Sequence, residues 1–169
     1  AYEQIRVDVA YQNLSLVLAG IIPGLGYGNS GVTHHSIEDA ALMRVLPNMT
    51  VVYPGHAVDV RAAARQALAL GGPCYLGLGR VPVDFAVPYE EEDFCIGQAI
   101  KLTEGRDAAI FAYGAVLPAA VKAAERLKEQ GIGVRVYNMH TVKPLDVSAV
   151  ECAARECGAL LTVEEESVI

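Results

Sequence analysis

The chain has 169 residues, of which 53% are hydrophobic, and a formal net charge of −7; its pI is near 5.0 and its mean hydropathy +0.30. That length suits one ordinary domain or two small ones. No basic stripe is present to meet nucleic-acid phosphates, no apolar run reaches the length of a membrane span, and the opening Ala1-Tyr2-Glu3-Gln4-Ile5-Arg6 is polar, unlike a signal peptide. The apolar balance fits either buried parallel sheets or a surface that expects a partner.

In chain order, Leu14 to Ala19 is a short apolar run that predicts a buried strand. A Gly-rich loop follows from Gly20 to Thr33. Ser36-Ile37-Glu38-Asp39 predicts a helix start, with Ser36 as cap and the acids at the positive end of the dipole. Pro47 ends that helix. Thr50 to Tyr53 predicts a strand, Ala57 to Leu70 a helix with Val60, Ala63, Ala64, Ala67 and Leu68 on one face, and Cys74 to Leu78 a strand. Residues 81–93, with Pro82, Pro88 and an acidic run, predict a linker. Ile96 to Leu102 and Ala108 to Ala112 then predict strands, Val116 to Gln130 a strong helix stopped at Gly131, Gly133 to Tyr137 a strand, Val147 to Glu156 a helix, and Ala159 to Val163 a strand.

This alternation predicts an α/β fold of two parallel-sheet units with right-handed crossovers, over residues 1–80 and 94–169. Both ends read as cut: the first unit starts mid-stream, and the second ends on a strand with no closing helix. The acidic runs Glu90-Glu91-Glu92-Asp93 and Glu164-Glu165-Glu166 predict a solvated linker and a solvated strand end. Cys74, Cys95, Cys152 and Cys157 form no Cys-x-x-Cys pair, so free thiols in a reducing cytoplasm are expected.

The stretch from Gly31 to Arg44, GVTHHSIEDAALMR, holds the strongest candidate chemistry. A Gly-rich loop runs into a helix start with His34 and His35 just before it. An imidazole there can donate a hydrogen bond or move a proton, although a histidine in such a place is also commonly structural. Adjacent histidines diverge in a loop and make no metal site by themselves, and no other ligand sits at suitable spacing.

With PNMTVVYP at 47–54, YEQIR at 2–6 and GPCYLGLGR at 72–80, this stretch resembles the pyrimidine-binding domain of transketolases, most of all the C-terminal subunit of the split, two-subunit kind. The later segment is similar to the transketolase C-terminal domain in Asp107 to Gly114, Asn138-Met139, Thr141 to Asp146 and Thr162 to Glu165. The resemblance implies thiamine diphosphate as cofactor, with Mg2+, and transfer of a two-carbon ketol unit between sugar phosphates. It implies that His34 faces both cofactor and donor sugar as the catalytic histidine. Arg80 would hold the substrate phosphate, a salt bridge at a strand end being the alternative. Ser30 would lie at the donor hydroxyl and His35 behind His34, whereas His56 and His140 match no catalytic position.

Ser30 replaces a usual Asp, Ile22 a phosphate-contacting His of some relatives, Gly77 an Arg, and Glu166 the His of a closing EEH-type motif; these departures point to a shifted donor or a divergent paralogue. In this family the catalytic glutamate and the ring-stacking aromatics lie upstream of the YEQIR segment. The diphosphate and metal are held by a Gly-Asp-Gly domain, a motif this chain lacks. The resemblance therefore implies a diphosphate-binding N-terminal subunit or domain as partner, in a homodimer or heterotetramer, and little activity for this chain alone. Deoxyxylulose-phosphate synthase, a 2-oxoacid dehydrogenase β-subunit and a non-catalytic dimerisation module are the alternatives.

Overall fold

A computed structural model describes residues 1–80 and 85–167. Two four-stranded sheets form the frame. The first has the order β1 (Val17–Ile21), β3 (Cys74–Leu78), β2 (Thr50–Val52), β7 (Thr141–Lys143); the second has β4 (Ile100–Lys101), β6 (Val134–Asn138), β5 (Ala108–Ala112), β8 (Leu160–Val163). The helices are α1 (Tyr2–Gln4), prolonged by a wider π turn over Ile5–Ala10, α2 (Asp39–Val45), α3 (Ala57–Ala69), α4 (Leu117–Glu129) and α5 (Val147–Glu156). Among the described residues, no helix is long and apolar enough to cross a membrane.

The strands β2, β3, β5 and β6 are buried on both faces, which is why most of them read as short apolar runs, while the edge strands β1 and β8 keep exposed side chains. Successive side chains point to opposite faces. Val51 and Tyr75 thus pack with Ala40, Met43 and Leu46 of the α2 region, while Val52, Cys74 and Leu76 pack with Ala62, Ala63 and Ala67 of α3. In the second sheet, Ile110 and Val136 meet Leu117, Ala120 and Ala124 of α4, and Ala109, Phe111 and Tyr137 meet Ala153 of α5. Burial pushes the Cys74 thiol up to about 12, so it is an inert core thiol.

The parallel expectation holds for the interior pairs, β1 with β3, β2 with β3, β5 with β6 and β5 with β8. It fails at two outer strands. β4 and β7 run antiparallel to β6 and β2, and β7, at Thr141–Lys143, is a strand that the apolar pattern did not predict. It carries the chain of the second unit into the first sheet. Lys143 Nζ donates to the Arg44 and Leu46 carbonyls at the end of α2, a cation placed where helix carbonyls lack partners. The predicted strand Ile96 to Leu102 shrinks to Ile100–Lys101, because Cys95 to Gln98 closes a turn instead.

Two further local expectations need correction. Ser36 does not cap α2: its backbone pairs with Gly24 in an isolated bridge, and Glu38 is the residue preceding the helix. The run at 164–166 is not a solvated strand end, since Glu165 and Glu166 are half-buried. Of the predicted linker, Val81 to Asp84 lie outside the described residues, as do Val168 and Ile169 at the end of the second unit. The rest of the linker is packed: Tyr89 is buried, Glu91 pairs with Arg61 and Arg65 at 3.3 and 2.7 Å, and Gln66 holds the Phe94 carbonyl and the Ile96 amide.

His56 and His140 have structural roles. His56 precedes α3; its Nδ1 accepts the Val58 N–H and its Nε2 donates to the Phe85 carbonyl at 2.7 Å. His140 is fully buried, stacked on Phe94 at 4.0 Å between ring centroids, with Nδ1 2.9 Å from Thr141 Oγ1. Burial pulls its pKa from 6.5 down to about 4, so it is neutral in the fold. The unfolded chain takes up this proton below pH 6.5 and the folded chain only below about 4. Stability should therefore fall as pH drops from 6.5 to 4, by about 3 kcal/mol for this group. Urea unfolding across that range should show the loss, and His140→Gln should reduce it.

Candidate active site

Ligands of α/β sheets bind beyond the carboxyl ends of the parallel strands, because the loops that can converge on a ligand emerge there. At that edge of the first sheet the Gly-rich loop leaves β1, residues 53–56 leave β2, and Gly79-Arg80 leaves β3. Ile21 and Leu78 are register partners, so the loop carrying His34 and the segment carrying Arg80 start side by side. The Ile22 N–H donates to the Leu78 carbonyl at 2.8 Å and extends that pairing by one residue.

The loop is built from its own backbone. Gly24 and Ser36 exchange two hydrogen bonds that close its neck, at 2.6 and 3.1 Å. Within it, the Ser30 N–H donates to the Tyr27 carbonyl and the His34 N–H to the Gly31 carbonyl. His34 is exposed; its Nδ1 lies 3.0 Å from Thr33 Oγ1 and its ring is 5.8 Å from that of Tyr27. His35 is half-buried and its Nε2 donates to the Gly28 carbonyl at 3.2 Å, so it ties the turn that presents Ser30 and His34. The Ser30 side chain is exposed on that turn, and Arg80 is exposed beyond β3. His34, His35 and Ser30 thus lie on one loop that leaves the same sheet edge as the segment carrying Arg80. Ile21, Leu25 and Val32, on that loop and the strand end before it, are exposed.

Beneath this edge lies a set of side chains that sequence reasoning did not single out. Asp39 Oδ2 accepts the hydroxyls of Tyr53 at 2.9 Å and Tyr75 at 2.5 Å. Burial foremost, then the Asp39 carboxylate, holds both phenols far above their ordinary range, so they remain donors. Tyr113 stacks obliquely on Tyr53 at 5.0 Å and donates to Glu164 Oε2 at 2.6 Å. Gly77, one of the departures from the family pattern, has a steric cause here. A Cβ on it would stand 2.2 Å from the Tyr53 ring, so the position next to this tyrosine admits only glycine. The acid that ends the run THHSIED was the available signal for Asp39; the tyrosines gave none.

An apolar hollow of about 460 Å3 lies elsewhere, and its lining includes Phe111, Met139, Val142 and Leu161 but neither His34 nor Arg80. Among the described residues, no group of three His, Cys, Asp or Glu side chains stands at metal-binding spacing.

A mostly parallel sheet packed against helices, with an imidazole loop and a guanidinium leaving its carboxyl edge, defines an α/β protein whose candidate site lies at that edge. Residues 1–83 match the transketolase pyrimidine-binding domain and residues 97–169 the transketolase C-terminal domain. The chain belongs to the transketolase family. It is 42% identical over 167 residues to 6-deoxy-6-sulfo-D-fructose transketolase subunit SqwH of Clostridium sp. (strain MSTE9), covering 99% of this chain and 52% of that protein. To an apulose-4-phosphate transketolase subunit of Phocaeicola vulgatus it is 37% identical over 165 residues, covering 98% of this chain and 53% of that one. Among solved structures, a split gene transketolase described as an inactive β4 tetramer superposes over the whole chain and 54% of its own, at 39% identity and a TM-score of 0.87. The chain spans about half the length of these relatives.

Proposed function

We propose that this chain forms the pyrimidine-facing wall of a thiamine-diphosphate site and, with a diphosphate-binding subunit or domain, transfers a two-carbon ketol unit between sugar phosphates. The observation that carries this is that the loop bearing His34 and the segment bearing Arg80 leave neighbouring strands at one edge of the first sheet. The loop and its approach offer exposed Ile21, Leu25 and Val32, with the Tyr27 ring 5.8 Å from the imidazole, which suits one side of a flat heterocycle. The diphosphate and its Mg2+ are assigned to the partner, in keeping with the lack of a Gly-Asp-Gly triplet in this chain.

Thiamine diphosphate, when bound, supplies the carbon nucleophile and electron sink for breaking and making the carbon–carbon bond. The chain's own residues then bind, orient and move protons. His34 hydrogen-bonds the donor oxygens and takes the hydroxyl proton released as the carbon–carbon bond breaks, returning it when the acceptor adds. Arg80 grips the distant phosphate with its guanidinium fork, so that binding energy far from the reacting carbon fixes its position. Ser30 offers a hydroxyl to the donor where relatives carry a carboxylate, which suits a donor other than the usual sugar phosphate. The two curated relatives are named for a sulfo-sugar and for apulose 4-phosphate, and their spread supports a family whose donor varies. The inactive β4 tetramer supports the need for a partner, within a homodimer or a heterotetramer.

Mixing the complete protein with its diphosphate-binding partner, Mg2+ and thiamine diphosphate should give ketol transfer from at least one of a panel of phosphorylated and sulfonated ketoses. Absence of transfer with every donor, or turnover of pyruvate instead, would overturn the reading. In that assay Arg80→Ala should raise KM for an anionic donor by about 10- to 100-fold. Its effect on a neutral ketose should be small, and equal losses for both would remove Arg80 from the anion site.

A further inference from the structure

The three glutamates that follow β8 are all engaged. Glu164 accepts the Tyr113 hydroxyl. Glu165 Oε1 accepts the Leu25 N–H at 3.1 Å, at the start of the Gly-rich loop. Its side chain lies so close that a Cβ on Gly24, which has φ +71°, would stand 2.6 Å from Glu165 Cβ. At the other end of the loop, the Ser167 N–H donates to the Ile37 carbonyl at 2.8 Å, and Glu166 lies against the Ala40 N–H and the Asp39 carboxyl. One short segment of the second unit therefore holds both ends of the loop that carries His34.

The contact between Glu166 and Asp39 joins two carboxyl groups. Asp39 Oδ2 is filled by the Tyr53 and Tyr75 hydroxyls, whereas Asp39 Oδ1 and Glu166 Oε2 are both buried and meet no donor. A proton carried on either carboxyl would give these two buried acceptors the partner they lack. We propose that residues 164–167 clasp the His34 loop through one proton shared by Glu166 and Asp39, which makes Glu165 and Glu166 positioning residues for ketol transfer. The catalytic consequence rests on the function proposed above; the clasp is a property of the chain itself.

The groups facing the Glu166 carboxyl are Asp39 of α2, Tyr53 and Tyr75 of the first sheet, Tyr113 after β5, and Glu164 of its own segment. None of them is a cation. Burial first, then the Asp39 carboxylate, raises the Glu166 carboxyl from 4.5 to about 8. A group whose pKa is raised in the closed form favours closure fully below its ordinary pKa, and that contribution fades as pH climbs toward the raised value. The clasp therefore weakens up to about pH 8 and is level above it.

Hydrogen exchange on the complete protein, corrected for the intrinsic pH dependence of amide exchange, reads this directly. Protection of the loop amides at 24–36 should fall about ten-fold between pH 6.5 and 8 and then level off. Glu166→Gln supplies a permanent donor to Asp39 and should abolish the fall; Asp39→Asn should do the same from the other side, should the first variant not fold. In the assembled enzyme, Glu166→Gln should also flatten any alkaline decline in kcat with less than a two-fold change in KM. Unchanging wild-type protection across that pH range, or the same fall in either folded variant, would overturn the clasp. Exchange needs no turnover, so a lack of ketol transfer would count against the proposed function alone.

Discussion

Asp59→Ala should lower the free energy of unfolding by about 3 to 5 kcal/mol, the largest stability loss expected from a single substitution in this chain. Asp59 is fully buried at the start of α3. Its Oδ2 accepts the Gly55 and His56 N–H groups at 2.9 and 3.0 Å and the Asn138 side-chain amide at 2.9 Å, and its Oδ1 accepts the Tyr89 hydroxyl at 2.7 Å. These donors come from the loop after β2, from the segment between the units, and from β6 of the second sheet. Removing the carboxylate takes the acceptor from four donors, of which the Asn138 amide keeps a second bond to the Tyr89 oxygen and the His56 N–H is only partly buried; a buried donor left unmet costs about 1 to 3 kcal/mol, partly recovered by relaxation. Asp59→Asn keeps one acceptor oxygen and can donate to the Tyr89 oxygen, so it should cost about 1 to 2 kcal/mol. Urea denaturation of both variants measures the difference. Equal losses would show that the acceptor network is not what joins the units.

His34→Ala should reduce kcat of ketol transfer in the assembled enzyme by about 10² to 10⁴-fold, the range for a positioned group that moves a proton. The histidine is exposed, and its imidazole lies within hydrogen-bond distance of the neighbouring Thr33 hydroxyl. Unfolding free energy should therefore change by less than about 0.5 kcal/mol, and loss of activity without loss of stability is the signature of a group at the reaction. His35→Ala provides the contrast. Its ring holds the Gly28 carbonyl, so that variant should loosen the loop and lose less in kcat. A three-fold or smaller loss for His34→Ala would remove it from the proton-transfer step.

Local pattern accounts for what was legible in the sequence. The stripe from Val116 to Leu127 and the short runs at 74–78, 108–112 and 133–137 match observed elements, the last shifted by one residue, because burial on both faces leaves little room for other periodicities. Strand β7 was illegible: three residues carry too little pattern, and its partner Val51–Val52 lies some ninety residues back in the chain. Ser36 looked like a cap because its side chain suits one, but pairing of its backbone with Gly24 used it for the loop neck. Asp59 carried a local signal, since a side chain at His56 and an acid three residues on form a reciprocal cap. Its links to Tyr89 and Asn138 exist only in three dimensions. The run at 164–166 was legible as charge, and only the fold shows that each carboxylate meets a different partner. Family motifs marked His34 and Arg80, and the pairing of Ile21 with Leu78 starts the segments that carry them, 46 positions apart, from neighbouring strand ends.

The most direct measurement is calorimetric titration of thiamine diphosphate with Mg2+ into three samples: the complete protein, its diphosphate-binding partner, and the two mixed. Binding should be weak or absent in each alone and become at least ten-fold tighter in the mixture, with His34→Ala lowering the turnover of that mixture more than its affinity. Equal affinity for the partner with and without this chain would contradict the account, since the chain would then contribute no wall to the cofactor site.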